Sequence, residues 1–227
     1  DISFSTAKST LESKNYTVST LNLPAENKIP EDADLIIIAG PVQPITENEQ
    51  KLLRAYLAGG GSLLVMEDPL IATDFGDQAD PLAELLLEDW GISINNDIVI
   101  DLDSPDPTIG TAADYPGPHA ITRKMNNIIT YFPLTRRLPI ASAPENVQAS
   151  LLVQTTAKSW GETNTAEPNV AFDETADIPG PMTLAIAAEN TANNSRVVVF
   201  GTSQFATDQN FDQYGNGDML INAVDWA

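Results

Sequence analysis

The 227 residues are 42% hydrophobic, enough for a substantial core and against global disorder. They carry 32 Asp and Glu against 11 Lys and Arg, a formal charge of −21, which disfavours nucleic acid and anionic membrane surfaces as partners. No cysteine is present, so disulfides, thiolate nucleophiles and Cys-ligated zinc are excluded, and the redox compartment cannot be read from cysteine usage.

No apolar run approaches the roughly 18–20 residues of a membrane-spanning helix. The sequence opens at Asp1 inside a helical pattern and stops at Asp225-Trp226-Ala227 without a polar tail. Both ends read as boundaries of a piece cut from a longer chain. No internal repeat and no clear linker divides it, so a single domain over 1–227 is expected.

In chain order, Ser5 to Lys14 reads as a short helix with Ala7 and Leu11 on one face, and Tyr16 to Leu23 as a half-buried strand. A polar loop over 24–34 leads to Leu35-Ile36-Ile37-Ile38-Ala39, a continuous apolar run of the kind buried on both faces of a parallel sheet. Thr46-Glu47-Asn48-Glu49 is a capping box, followed by a stripe of Leu52, Leu53, Tyr56 and Leu57. Gly59-Gly60-Gly61 ends that helix and Leu63 to Met66 is a second buried strand, so 35–66 forms a β-α-β unit with adjacent parallel strands.

Asp80-Pro81 pairs an N-cap with a first-turn proline; Leu82, Leu85, Leu86 and Trp90 continue the helix and Gly91 closes it. Ile98 to Ile100, Ile128 to Phe132 and Leu151 to Thr155 are expected as strands. Thr183 to Ala187 and Val197 to Phe200 are expected to pair through the Asn190–Asn194 turn. Residues 101–120 and 158–181 read as long irregular segments. Gly217 to Trp226 is a last helix with Leu220, Ile221 and Val224 facing inward. Strands alternating with helices predict an α/β doubly wound sheet, mostly parallel, with an antiparallel extension over 128–200.

Several segments match a known family in order along the chain. They are Ile29 to Pro41, Tyr56-Leu57 with Gly59 to Val65, His119-Ala120-Ile121-Thr122, Ser159-Trp160-Gly161-Glu162, Val199 to Ala206 and Asn216 to Trp226. On these the sequence resembles the gliding-motility-associated ABC transporter auxiliary proteins (GldG-type). The resemblance implies a flavodoxin-like, class I glutamine-amidotransferase-like fold. It also implies a soluble domain on the extracytoplasmic side, in a parent protein anchored by transmembrane helices and working beside an ABC permease and ATPase. It carries over no catalytic residues, no cofactor and no transported substrate.

The residues themselves give little catalytic chemistry. The turn after Met66 reads Glu67-Asp68-Pro69, there is no Gly-x-Ser-x-Gly elbow, and His119, the single histidine, lies in a Pro/Gly-rich loop. There is no Walker A sequence, and Gly59-Gly60-Gly61 follows a helix instead of opening one. Asp101, Asp103 and Asp106, or Asp208, Asp212 and Asp218, are too few oxygens for calcium and lack EF-hand spacing.

In open α/β sheets ligands sit beyond the carboxyl ends of strands. That rule selects Gln43, Glu67, Asp68, Thr202, Ser203 and Gln204 as candidate groups for a polar ligand such as a saccharide. Trp160 is the candidate partner-binding residue, in one of the two long inserts expected to dock other proteins. The expected role is a non-catalytic binding or scaffolding domain. Its rivals are a solute-binding module, and a hydrolase using paired carboxylates.

Overall fold

In the computed structural model, which describes residues 2–112, 115–165 and 170–227, the capping box forms as the sequence spells it. The Thr46 hydroxyl accepts from the Glu49 amide at 3.3 Å, and the Glu49 carboxylate accepts from the Thr46 amide at 2.8 Å. Such a cap stabilises a helix by about 1 kcal/mol. It opens α3 (Glu47–Ala58), after α1 (Ser5–Ser13) and the short α2 (Leu23–Glu26). Asp80 caps α4 (Pro81–Trp90) through the amides of Leu82 and Ala83, and Gly91 closes it at φ +67°, where a side chain would be strained. The last helix is α5 (Asn216–Trp226).

The strands are β1 (Leu35–Ala39), β2 (Ser62–Met66), β3 (Ile98–Asp101), β4 (Ile109–Ala112), β5 (Thr130–Pro133), β6 (Val147–Gln154), β7 (Ser159–Glu162), β8 (Ile178–Pro179), β9 (Thr183–Asn190) and β10 (Arg196–Phe200). The main sheet runs β1-β2-β10-β9-β6; β3-β7-β8 and β4-β5 form two smaller sheets. β1 and β2 are adjacent and parallel, with Leu35 opposite Ser62 and Ala39 opposite Met66, and β10 lies parallel on the other side of β2.

Alternation along these strands separates two cores. Leu64, Met66, Val198 and Phe200 face α1 and α5, meeting Ala7, Leu11, Met219 and Leu220. Leu63, Val65, Val197 and Val199 face α3 and α4, meeting Leu53, Leu57, Leu85 and Trp90. The central strands are apolar from Leu63 to Met66 and from Val197 to Phe200 because both faces are covered, and all five residues of β2 are buried. β1 sits at the sheet edge, so the same kind of sequence is only half-buried there and Ile37 is 39% exposed.

The expected flavodoxin-like or glutamine-amidotransferase-like doubly wound sheet, mostly parallel, does not form. β10 pairs with β9 and β9 with β6 in antiparallel fashion. The cause lies in the connections: β9 and β10 are joined by a tight turn with Asn194 at φ +61°, too short for a crossover helix. Among the described residues no helix separates the strands from β3 to β8, so β6 joins β9 antiparallel in the main sheet and β3, β4, β5, β7 and β8 build two small antiparallel sheets instead of extending a parallel one.

Three local expectations also change. Tyr16 to Asn22 forms no strand; Val18 packs on one core and Leu21 on the other, without a ladder to β1. The segment over 101–120 contains β4, and that over 158–181 contains β7 and β8. Residues 113–114 and 166–169 of these two segments lie outside the described residues.

Candidate functional site

The register of the parallel strands brings three carboxyl ends level, since Ala39 and Phe200 both lie opposite Met66. The next residues are Gly40, Glu67 and Gly201. Gly40 has φ +59°, and a Cβ there would fall 2.7 Å from Ser203 Oγ and 3.2 Å from Asp68 Oδ2. The backbone of β1 therefore closes against the two side chains that sequence reasoning selected.

Asp68, Thr202 and Ser203 bond to one another. Asp68 Oδ1 accepts from the Ser203 amide at 2.7 Å and from Thr202 Oγ1 at 3.0 Å; Oδ2 accepts from Ser203 Oγ at 2.7 Å. The Thr202 proton is shared with Pro133 O at 2.9 Å, and Thr202 Oγ1 accepts from the Gln204 amide at 3.1 Å. Asp68, Thr202 and Ser203 are all buried, the last two completely.

Glu67, 1% exposed, belongs to a second group. Its Oε1 accepts from Arg136 Nη1 at 3.2 Å, while Arg136 Nη2 donates to the Asp68 carbonyl at 2.6 Å. Glu67 Oε2 and Arg136 Nε have no hydrogen-bond partner. Asp80 completes the group. Burial, and then the charge of Asp80, push Glu67 up to about 8, against the opposing pull of Arg136. Burial pushes Arg136 down, countered by Glu67, Asp80, Asp68 and Asp97.

Of the six strand-end candidates, the structure thus joins Glu67, Asp68, Thr202 and Ser203 in one buried cluster. Gln43 is exposed and outside it, and Gln204 is half-buried in the 3-10 turn that follows. Sequence reasoning missed Arg136 and saw Asp80 only as a helix cap. The available signal was Arg136-Arg137 inside the apolar stretch from Tyr131 to Ile140, in a chain with 11 basic residues. Two shallow clefts of about 270 and 560 Å³ lie at the opposite, amino ends of the strands. Arg54, Asp89 and Asn193 line the first, and Asp34, Tyr56 and Gly60 the second.

The remaining candidates are separate. Trp160 is 6% exposed, packed with Ile98, Ile100 and Leu134, and its Nε1 donates to Glu162 Oε2 at 3.2 Å. Phe172, 44% exposed, meets its ring edge-on at 6.0 Å. Trp160 therefore pins the small sheet, and Phe172 is the aromatic that reaches solvent. His119 packs edge-on against Trp226 at 4.8 Å, and its Nδ1 accepts from the Ile121 amide at 3.3 Å. Burial lowers its pKa, and the Arg196 guanidinium stacks over Trp226 at 4.9 Å.

The acidic runs separate in space. Asp101 is fully buried and accepts from Thr111 N and Oγ1 at 2.9 and 2.8 Å. Asp103 pairs with Lys158 at 2.7 Å, and Asp106 caps its own turn at Thr108. Asp208 accepts from Ser3 Oγ, Ser5 Oγ and Thr6 N, fastening the start of α1, and these bonds hold its carboxyl well below the usual range. Asp212 and Asp218 are exposed. Among the described residues no group of three or more His, Cys, Asp or Glu is placed to hold a metal ion, and no helix is long and apolar enough to cross a membrane.

A family model described as "ABC-type uncharacterized transport system" matches residues 5–223. The Intraflagellar transport protein 52 homolog of Mus musculus is 24% identical over 196 residues, covering 85% of this chain and 44% of that protein. The chain thus spans less than half the length of that curated relative. Among solved structures, the mmIFT52 N-terminal domain is similar with a TM-score of 0.70 at 19% identity, over 99% of this chain and 90% of that one. Cytoplasmic Protein STM3548 from Salmonella typhimurium reaches 0.50 at 14% identity, over 92% and 76%. At these identities the structures speak to the fold alone, which is that of the mmIFT52 domain and not a flavodoxin-like doubly wound one.

Proposed function

The chain belongs to the ABC-type uncharacterized transport system family, and from that premise we propose that it is a non-catalytic binding or scaffolding domain of an auxiliary component of such a system. One observation carries this reading: the polar groups at the strand ends bond to one another. Ser203 Oγ, a hydroxyl at the strand ends, is fully buried and donates to Asp68. Asp68 accepts from that hydroxyl together with two other donors, and the whole group is buried away from any substrate a nucleophile would have to meet. His119 is engaged with Trp226. The cluster suits a rigid platform with function on its surface.

The proposal extends to the assembly. The partners are the permease and ATPase of the same system, and the domain sits on the extracytoplasmic face of a membrane-anchored protein. The test is affinity purification of the tagged full-length protein from detergent-solubilised membranes of its own organism, with mass spectrometry of what accompanies it. Enrichment of an ABC permease and its ATPase is the expected result. Recovery of neither, with the protein folded and membrane-associated, overturns the reading.

A further inference from the structure

The small sheet β3-β7-β8 has two unlike faces. Val99 alternates inward and is fully buried in the core that includes α1 and α5. Ile98, Ile100 and Trp160 point the other way and form a separate, thin cluster, with Leu134 packed against it. Phe172 meets the Trp160 ring edge-on at 6.0 Å yet is 44% exposed, and the exposed Pro179 lies opposite Trp160 in the ladder. This outer face therefore presents an aromatic side chain, backed by a second aromatic, to whatever approaches it.

The charge around that face is one-sided. The described residues of 97–112, 158–165 and 170–179, which carry the sheet and its adjoining turns, hold eight acids and one base, Lys158. Four of the acids are buried and satisfied internally. Asp97 pairs with Arg137 at 2.9 Å, and Asp101 accepts from Thr111. Glu162 accepts from the Trp160 indole and the Asn164 amide, and Asp177 from the amides of Thr163 and Asp173. The other four are exposed. Asp103 pairs with Lys158 at 2.7 Å, whereas Asp106, Asp173 and Glu174 have no ion-pair partner among the described residues. Asp173 accepts from the Thr175 amide and hydroxyl at 2.8 and 2.7 Å, bonds that hold its carboxyl below the usual range.

Phe172-Asp173-Glu174 thus sets an exposed ring beside two exposed carboxylates without a cation. A guanidinium or ammonium suits both groups at once, since it is attracted to the ring face and to the carboxylates. A second copy of the chain would bring the same acids to this face and be repelled, as would nucleic acid and anionic lipid.

We propose that the outer face of the β3-β7-β8 sheet docks a basic, apolar segment of a partner protein, whose Arg or Lys packs on Phe172 and pairs with Asp173 and Glu174 while an adjacent aliphatic side chain covers Trp160 and Pro179. The inference rests on the binding-domain reading above, but not on the choice of permease and ATPase as partners.

The test places the photocrosslinker benzoylphenylalanine in place of Phe172 in the full-length protein, in membranes of its own organism, and identifies the crosslinked peptide by mass spectrometry. The expected product is an apolar partner segment containing Arg or Lys. Its yield falls about threefold or more in a variant carrying Asp173→Asn and Glu174→Gln, and likewise in about 0.5 M salt. Asn at 173 keeps an oxygen for the turn at Thr175. Should the double variant fail to fold, Glu174→Gln alone leaves that turn intact and lowers the yield in the same direction. Such a segment from a protein other than a permease or ATPase upholds the docking face and overturns the choice of partners. The docking face is overturned by no crosslink from the folded, membrane-associated protein, or by a product with lipid, with a second copy or with a segment lacking Arg and Lys. A yield indifferent to the variants and to salt overturns it equally.

Discussion

Asp68 takes hold of Ser203 twice, accepting from its amide on one carboxylate oxygen and from its hydroxyl on the other, both at 2.7 Å. The two residues are 135 positions apart in sequence, so this grip ties the end of β2 to the end of β10. With Thr202 as the third donor, the carboxylate answers a group of buried polar atoms. Asp68→Ala removes the acceptor and leaves those donors buried. Each such loss costs about 1–3 kcal/mol, with partial relief for Thr202 because Pro133 O still accepts from it. The expected result is a fall of about 3 kcal/mol or more in urea-unfolding free energy. A change below about 1 kcal/mol would show that the cluster is not a structural tie.

Glu67 sets a sign for stability against pH that opposes ordinary acid behaviour. Its folded value of about 8 lies above its unfolded value, so between the two the folded state binds the extra proton. Its contribution is fully present below about 4.5 and declines as pH rises through about 8. Urea unfolding at pH 5.5 and 8.5, compared between wild type and Glu67→Gln, isolates this group from the other acids. Wild type is expected to lose more stability than the variant over that range. Parallel losses would assign the pH dependence to the general negative charge.

The parts of the fold written in local chemistry were legible, and those written in chain connection were not. The capping box at Thr46, the Asp80 cap with Pro81 and the paired strands Leu35–Ala39 and Leu63–Met66 each follow from short-range rules that the structure obeys. The overall topology depends on whether later strands return through helices or turns, and the short antiparallel strands β4, β7 and β8 lack the length and periodicity to declare themselves. Tyr16 to Asn22 shows the same limit: its alternation reports two-sided packing, but a strand also needs a partner. Strand-end geometry selected Glu67, Asp68, Thr202 and Ser203. Arg136 reaches them through a fold-back at Gly201, where its amide donates to Gly201 O at 2.9 Å, and no spacing rule anticipates that contact.

His119 has a structural account that limits what its loss can do. Its ring meets Trp226 edge-on, and Trp226 is held on its other contacts by Arg196, which stacks on the ring and pairs with Glu189. An aromatic pair of this kind contributes about 0.5–1.5 kcal/mol beyond its buried area. His119→Ala is expected to lower stability by about 1 kcal/mol, loosening the end of α5. Recovery of the transport complex should be unchanged. Loss of the complex with the domain fully folded would give the imidazole a role that this packing does not provide.

Trp160 and Phe172 separate a folding defect from a docking defect. Trp160 fills the small core of the β3-β7-β8 sheet with Ile98 and Ile100, and its indole N–H is satisfied by Glu162. Removing a buried indole costs about 3–5 kcal/mol, so Trp160→Ala should lower the melting temperature markedly whatever the protein binds. Phe172 touches that ring from outside and remains 44% exposed, so its truncation removes little of the core. A partner seated on this sheet would bury Phe172 and draw on its large apolar surface. Phe172→Ala is therefore expected to keep the wild-type melting temperature within about 1–2 °C, since surface changes usually stay within about 0.5 kcal/mol. The same variant should reduce recovery of the permease and ATPase in the affinity purification. Full recovery from Phe172→Ala, with partial recovery from Trp160→Ala matching the fraction still folded, would place the docking surface away from this sheet and leave Trp160 a purely structural residue.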